Sequence, residues 1–140
     1  MFYPDDRNAL RQMYVDAWQR HRERLPMEPV QAGIAEVIAE HPEYHALLED
    51  GQDLDKDWTP ENGVQNPFLH MGMHLAIQEQ VNTDRPKGIN AIHRLLSSRL
   101  GAPHEAEHLM MDALGEVLWR AQRDGVLPDD KAYLENLSRL

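Results

Sequence analysis

Apolar side chains recur every three or four residues along most of this chain, and that spacing is typical of amphipathic α-helices. Proline or glycine interrupts the pattern at intervals, which marks where one helix ends and the next begins. Residues 51–65 carry turn-forming and acidic side chains without periodicity, so they predict a surface loop. The predicted helices cover 5–25, 29–41, 43–50, 66–82, 84–100 and 103–124, followed by a last helix that begins at Pro128.

No alternating strand pattern, internal repeat or low-complexity segment occurs between these elements. The fold class is therefore predicted to be all-α, an irregular helical bundle of about five main helices plus short ones. The breaks between helices leave little room for a second domain, so we expect residues 1–140 to form a single helical domain. A domain of this size buries roughly 65–70% of the surface of its unfolded chain, which is enough for a core without disulfides.

Composition and charge exclude several classes of function. The chain has no cysteine, so a metal would have to be bound by His, Asp or Glu. Its formal net charge of −10 opposes binding to nucleic acid. No apolar run approaches the roughly 20 residues of a membrane span, and the amino terminus does not resemble a secretion signal. We therefore expect a cytoplasmic protein that binds neither nucleic acid nor membrane.

Two histidines four residues apart lie in the segment that begins NPFLHMGMH. Asn66 and Pro67 predict a helix start, because an amide side chain can cap the first turn and proline suits its first position. On a helical wheel His74 lies about 40° from His70, and both fall within the apolar face. Glu79 lies at about 180° from His70, so we expect it to face solvent.

A second pair occurs in HEAEHLMMDALGE, where His104 and His108 are again four residues apart. Glu107 falls on the apolar side of the same helix, at about −60° from His104, whereas Asp112 falls at about 80°. A carboxylate on an apolar face is costly unless a cation or hydrogen bonds meet it, so Glu107 marks a site better than Asp112 does.

The matched pairs predict a divalent metal ion held where these two helices meet. Histidine and carboxylate ligands suit zinc, iron, nickel or manganese. The predicted ligands are His70, His74, His104, His108 and Glu107. An open coordination position would indicate a hydrolytic or redox enzyme, and a closed one a structural role. The HEAEH string also fits metallopeptidase patterns, but so short a match arises easily, and the sequence identifies no catalytic residue.

A metal-free interpretation stands beside this one. His21, His41 and His93 also fall on apolar stripes, so some of the histidines must be ordinary core residues. The alternative is a non-enzymatic protein-interaction module with a buried histidine network. Its candidate anchors are Trp18, Trp58 and Trp119, with Trp58 expected to be the main contact. A protein partner or a homo-oligomer is possible on this view, and neither is identified by the sequence.

Several longer strings resemble a known family. They are EHPEYHALLE, NPFLHMGMHLAIQEQ followed by DRPKGI, and HEAEHLMMDALGEVLWRAQRDG with a closing YLENL. Together they resemble the bacterial family called domain of unknown function 1841, over almost the whole chain. The resemblance implies a small helical bacterial protein without an assigned role, and it supplies no catalytic residues.

Overall fold

The computed structural model describes residues 7–51, 54–58 and 66–140. Within these ranges the chain forms seven α-helices and one 3₁₀ turn, and it forms no strand, so the predicted all-α class is confirmed. None of the helices described is both long and apolar enough to cross a bilayer. The helices are α1 (Arg7–Glu23), α2 (Pro29–Ala39), α3 (His45–Asp50), α4 (Pro67–Thr83), α5 (Ile89–Leu100), α6 (Pro103–Asp124) and α7 (Asp130–Ser138), and the 3₁₀ turn Pro42–Tyr44 precedes α3.

The chain divides into two compact units, residues 1–75 and residues 76–140. The division falls inside α4, after Leu75, so this helix begins in the first unit and ends in the second. Each unit has its own set of helix contacts. The prediction of a single domain stays a prediction.

In the first unit, α1 packs against α2 and α3 around one apolar cluster. The Tyr14 and Phe68 rings meet edge to face, with centroids 5.6 Å apart, which attaches the start of α4 to α1. The buried members of this cluster are Tyr14, Ala17, Trp18, Ile34, Val37, Ile38, Leu48, Phe68 and Met71. The spacing of these residues along α1 and α2 is the one that the sequence pattern predicts.

In the second unit, α5, α6 and α7 pack against one another. One face of α6 is buried from Ala106 to Ala121, and α7 contributes Tyr133 and Leu137 to the interior. The Tyr133 hydroxyl donates a hydrogen bond of 2.8 Å to Oε1 of Gln80 on α4. A buried phenol therefore has its polar end satisfied within the unit.

Three predicted helix starts differ from the structure. The helix predicted over 43–50 begins at His45, because the 3₁₀ turn Pro42–Tyr44 precedes it. At the other two starts an aspartate explains the difference. We expected α5 to begin after residue 83 or 84 with Pro86 in its first turn, but it begins at Ile89. Asp84 adopts a φ of 50°, and its Oδ1 accepts hydrogen bonds from the N–H groups of Gly88 and Asn90. Asp84 therefore caps α5 from a position several residues before the helix begins. The last helix begins at Asp130 because Asp129 caps it through Lys131 and Ala132.

The segment predicted as a surface loop is described only in part. Residues 52–53 and 59–65 lie outside the described residues, as do residues 5 and 6 of the first predicted helix. Residues 54–58 form no helix, in agreement with the prediction. The guanidinium of Arg11 on α1 donates hydrogen bonds to the carbonyl oxygens of Leu54 and Lys56, each at 2.8 Å. These bonds attach residues 54–58 to α1.

Candidate metal centre

The start of α4 is fixed by Asn66, as the sequence predicts. Its Oδ1 accepts the N–H groups of Phe68 at 3.0 Å and Leu69 at 3.2 Å, and its carbonyl oxygen accepts that of His70 at 3.0 Å. Pro67 occupies the first helical position, where its missing N–H costs nothing. The helix therefore starts one turn before His70, and this start sets the direction in which His70 and the next histidine project.

His74 of α4 is fully buried, with 0% of its surface exposed, whereas His70 is half-buried. Their rings meet edge to face with centroids 4.9 Å apart, as expected for residues four apart on a helix. Glu79 is exposed on the same helix, so the prediction that it faces solvent is confirmed.

A third histidine joins these two in the first unit. The ring centroid of His41 lies 4.8 Å from that of His74 and 5.0 Å from that of His70. A ring nitrogen of His41 and one of His74 lie within 4.8 Å of each other. We call His41, His70 and His74 the first-unit histidine cluster. In the sequence His41 falls on an apolar stripe and is not among the predicted ligands.

The ring of His41 is held in place by a backbone carbonyl group of α2. It follows the last turn of α2, is only 2% exposed, and its Nδ1 lies 2.7 Å from the carbonyl oxygen of Val37. Because a carbonyl oxygen can only accept, Nδ1 carries the hydrogen and Nε2 of the neutral ring carries the lone pair. Histidines that ligate metals are commonly oriented by such a bond from the other ring nitrogen.

Tyr44 borders the first-unit histidine cluster. Its ring stacks on His41 at a centroid distance of 5.4 Å and meets His70 edge to face at 6.3 Å. Burial raises the pKa of the Tyr44 phenol, and the nearby charge of Glu43 adds to the shift. The phenol therefore stays protonated at neutral pH and adds no negative charge beside the cluster.

In the second unit, His104 and His108 form a pair on the first turns of α6, which opens with Pro103. Their ring centroids are 4.4 Å apart, and they offer ring nitrogens within 4.8 Å of each other. Both side chains are half-buried. Nδ1 of His108 also lies 3.8 Å from a carboxylate oxygen of Glu105. We call His104 and His108 the second-unit histidine pair.

Glu107 is buried on α6, with 4% of its surface exposed, whereas Asp112 is exposed. The helical wheel predicted this difference. The Glu107 carboxylate accepts a hydrogen bond of 3.1 Å from Nε2 of Gln78, and its other oxygen lies 3.5 Å from Nε2 of His93. No sequence pattern associates Gln78 or His93 with Glu107, because both residues lie on other helices.

The remaining histidines of the first unit pack around Trp18. The ring of His21 stacks on it at a centroid distance of 5.0 Å, and the ring of His45 lies at 4.4 Å. Nε2 of His45 lies 2.8 Å from the carbonyl oxygen of Ile38. These two histidines therefore pack against an aromatic side chain of the core cluster.

The tryptophans differ from the expectation for an interaction module. Trp58 is half-buried, its ring meets Phe68 at 5.8 Å, and the Arg11 guanidinium lies 5.1 Å from its centroid. It is therefore packed against the core of its unit. Trp119 is 57% exposed, with the Arg123 guanidinium 4.8 Å from its ring centroid. Among the described tryptophans, Trp119 is the one accessible to a partner.

The spacing of the ring nitrogens suits metal binding. Two nitrogens that bind one tetrahedral ion at about 2.0–2.1 Å lie roughly 3.4 Å apart. The nitrogens of His41 and His74, and those of His104 and His108, lie within 4.8 Å, so small side-chain rotations would bring either set onto one ion. Imidazole nitrogens without thiolates are ligands for zinc, iron and nickel. The chain thus carries a histidine cluster that could hold a metal ion.

Comparison with known proteins gives one match. The model of the family described as Domain of unknown function (DUF1841) matches residues 6–139. No curated protein matches the chain. No solved structure matches it either.

Proposed function

Because the chain belongs to the DUF1841 family, whose name assigns no activity, we propose from its own residues that it binds a divalent transition metal ion through histidine. The ligands we propose are His74 with His41 in the first unit, and the second-unit histidine pair. The sequence also predicts His70 and Glu107 as ligands. They would lie beside the ion or occupy a further coordination position. The bacterial cytoplasm stays the predicted location.

The observation that carries the proposal is the burial of His74 between His41 and His70. Bringing several imidazoles into an apolar core costs free energy unless their nitrogens are satisfied. A single cation satisfies several nitrogens at once, because it accepts one lone pair from each ring. The bond between His41 and Val37 supports metal binding by His41. It directs Nδ1 toward the backbone of α2 and so leaves Nε2, with its lone pair, on the opposite side of the ring.

The four-residue spacing of the second-unit histidine pair, which the sequence analysis already singles out, is the reason to keep it among the proposed ligands. His104 and His108 repeat the four-residue spacing of His70 and His74 and project from the start of a long helix. Metal sites in helical bundles commonly take ligands from side chains on more than one helix. Four imidazoles would make a neutral ligand set that suits zinc, nickel or iron, and Glu107 would bring one negative charge near the ion.

A metal-free histidine network is the second candidate, and specific bonds favour it. His41 and His45 each satisfy one ring nitrogen with a backbone carbonyl, at 2.7 Å and 2.8 Å. Such bonds stabilise a buried imidazole without any ion. On this view the exposed Trp119 would be the anchor of a protein-interaction surface. The two functions differ in one measurable property, the uptake of metal.

The test compares His74→Ala with Glu79→Ala, which alters an exposed side chain on the same helix. Both variants and the wild type are purified without a His tag, stripped with a chelator, reloaded with zinc and analysed by elemental mass spectrometry. We expect about one equivalent of zinc in the wild type and in Glu79→Ala, and a loss of most of it in His74→Ala.

Because His74→Ala removes a buried side chain, its fold is checked by circular dichroism, and His104→Ala serves as a second variant at a half-buried position. Zinc should raise the melting temperature of the wild type and of Glu79→Ala, and should have little effect on the two histidine variants. Equal zinc content in all four proteins would contradict the proposal.

A further inference from the structure

Polar side chains from two other helices meet Glu107 of α6 within the second unit. Gln78 of α4 donates to one carboxylate oxygen at 3.1 Å, and Nε2 of His93 on α5 lies 3.5 Å from the other. The Glu107 side chain is 5% exposed and that of His93 is 16% exposed. This group is therefore part of the interior of the unit and not a surface ion pair.

A buried carboxylate needs donors, because removing its charge from water is costly. Gln78 supplies a donor to one oxygen, and Nε2 of His93 lies close to the other, so both oxygens are contacted from outside α6. A distance of 3.5 Å is long for a hydrogen bond, so the contact with His93 is looser than the bond with Gln78. The two contacts turn the carboxylate toward α4 and α5, and they fix its orientation on α6.

Glu107 occupies a particular place relative to the second-unit histidine pair. It directly precedes His108 and lies one turn beyond His104, about 60° away on the helical wheel. Carboxylates beside ligating histidines commonly orient the rings and raise ligand basicity without touching the metal. A carboxylate contacted from two neighbouring helices is less suited to direct coordination, and it can instead fix the part of α6 from which His104 and His108 project.

We propose that Glu107, held by Gln78 and His93, is a positioning residue for the metal site and is not one of its ligands. The inference rests on the proposed metal binding and changes the role that the sequence analysis gave to Glu107. It also assigns His93 a function, as the residue that holds the carboxylate of Glu107 from the neighbouring helix α5.

The test uses cobalt(II), whose visible absorption bands report the ligand set and whose affinity can be measured by competition with zinc. The variants are Glu107→Gln, His93→Leu and His93→Gln, and Asp112→Asn is the control at an exposed position on α6. Glu107→Gln and His93→Leu should each weaken binding about 10–100-fold while the absorption bands stay in place.

His93→Gln keeps a donor near the position of Nε2, so it should retain most of the affinity that His93→Leu loses. The double variant Glu107→Gln with His93→Leu should lose little more than either single variant, because the two residues act as a unit. A shift of the cobalt bands in Glu107→Gln would show direct coordination and overturn the inference. Unchanged affinity in both single variants would also overturn it.

The failure of the proposed function gives a different result. A wild-type protein that takes up no cobalt overturns metal binding itself, and this inference with it. If the wild type binds cobalt and Glu107→Gln alone unfolds, the positioning role of Glu107 is tested with His93→Leu and His93→Gln. Both variants leave the carboxylate in place. Equal cobalt affinity of these two variants would then reject the positioning role.

Discussion

The Nδ1 nitrogen of His41 lies 2.7 Å from the carbonyl oxygen of Val37. This bond ties the ring to the last turn of α2 and determines which nitrogen carries the hydrogen. We predict that nitrogen-15 NMR at about pH 8, above the usual histidine pKa near 6.5, finds the proton of His41 on Nδ1. Exposed His21 serves as the comparison and should sample both tautomers.

The position of the hydrogen matters because only a ring with a lone pair on Nε2 can offer that nitrogen to an ion. Zinc addition should then shift the Nε2 resonance of His41 and leave the Nδ1–H signal in place. A proton found on Nε2 of His41 would contradict both the bond to Val37 and the proposed ligand atom.

The cap of α4 by Asn66 gives a stability prediction. Replacing Asn66 with alanine removes the acceptor of the Phe68 and Leu69 N–H groups, so the free energy of unfolding should fall by about 1 kcal/mol. Asn66→Asp keeps an acceptor at the helix start and should cost little. Urea titration measures both changes, and equal loss in the two variants would show that the cap does not act through its oxygen.

Sequence reasoning succeeded where the signal is local. The start of α4 follows from Asn66 and Pro67, and the two histidine pairs follow from their four-residue spacing, because helix geometry relates such neighbours directly. It failed at α5, where Asp84 adopts a left-handed conformation and caps the helix through residues four and six positions later.

The burial of the candidate site residues was predicted in part for the same reason. His74 and Glu107 are buried as their positions on the helical wheels imply. His41 and His93 were not singled out, because their roles depend on contacts made across helices that no periodicity encodes. Tertiary packing, and not local propensity, selected these two histidines from the others on apolar stripes.

Arg11 provides a prediction about the segment 54–58. Burial lowers the pKa of its guanidinium, and nearby Arg7 lowers it further, yet arginine stays protonated at neutral pH. Arg11→Met would leave the carbonyl oxygens of Leu54 and Lys56 without this donor, so the free energy of unfolding should fall by about 1–3 kcal/mol.

The comparison for Arg11 is Arg7→Met, which removes an exposed ion pair with Asp57 and an exposed hydrogen bond to the carbonyl oxygen of Asp55. An exposed pair contributes about 0–1 kcal/mol, so this variant should be close to wild type in urea titration. Equal destabilisation by the two substitutions would show that the bonds of Arg11 to the segment contribute little.

Tyr133 gives a prediction about alkaline pH. Burial raises the pKa of its phenol, and the charge of Asp130 adds to the shift, so the folded protein keeps the proton to higher pH than the unfolded chain does. The unfolded chain releases it near pH 10, and stability should therefore fall as pH rises above about 10.

Tyr133→Phe removes that proton and the hydrogen bond to Gln80. We expect a loss of about 1 kcal/mol at pH 7 and a shallower decline of stability above about pH 10 than in the wild type. Urea titrations at a series of pH values measure both effects. Parallel pH profiles for the two proteins would contradict the burial of the Tyr133 phenol.

The measurement that tests the account most directly is the metal content of the wild-type protein. The chain is produced without a His tag, stripped with a chelator, offered zinc, iron, nickel and manganese in turn, and analysed after removal of excess metal. We predict about one tightly held equivalent of at least one of these ions per chain. Protein that retains only a small fraction of an equivalent of every metal, while remaining folded, would contradict the proposed site.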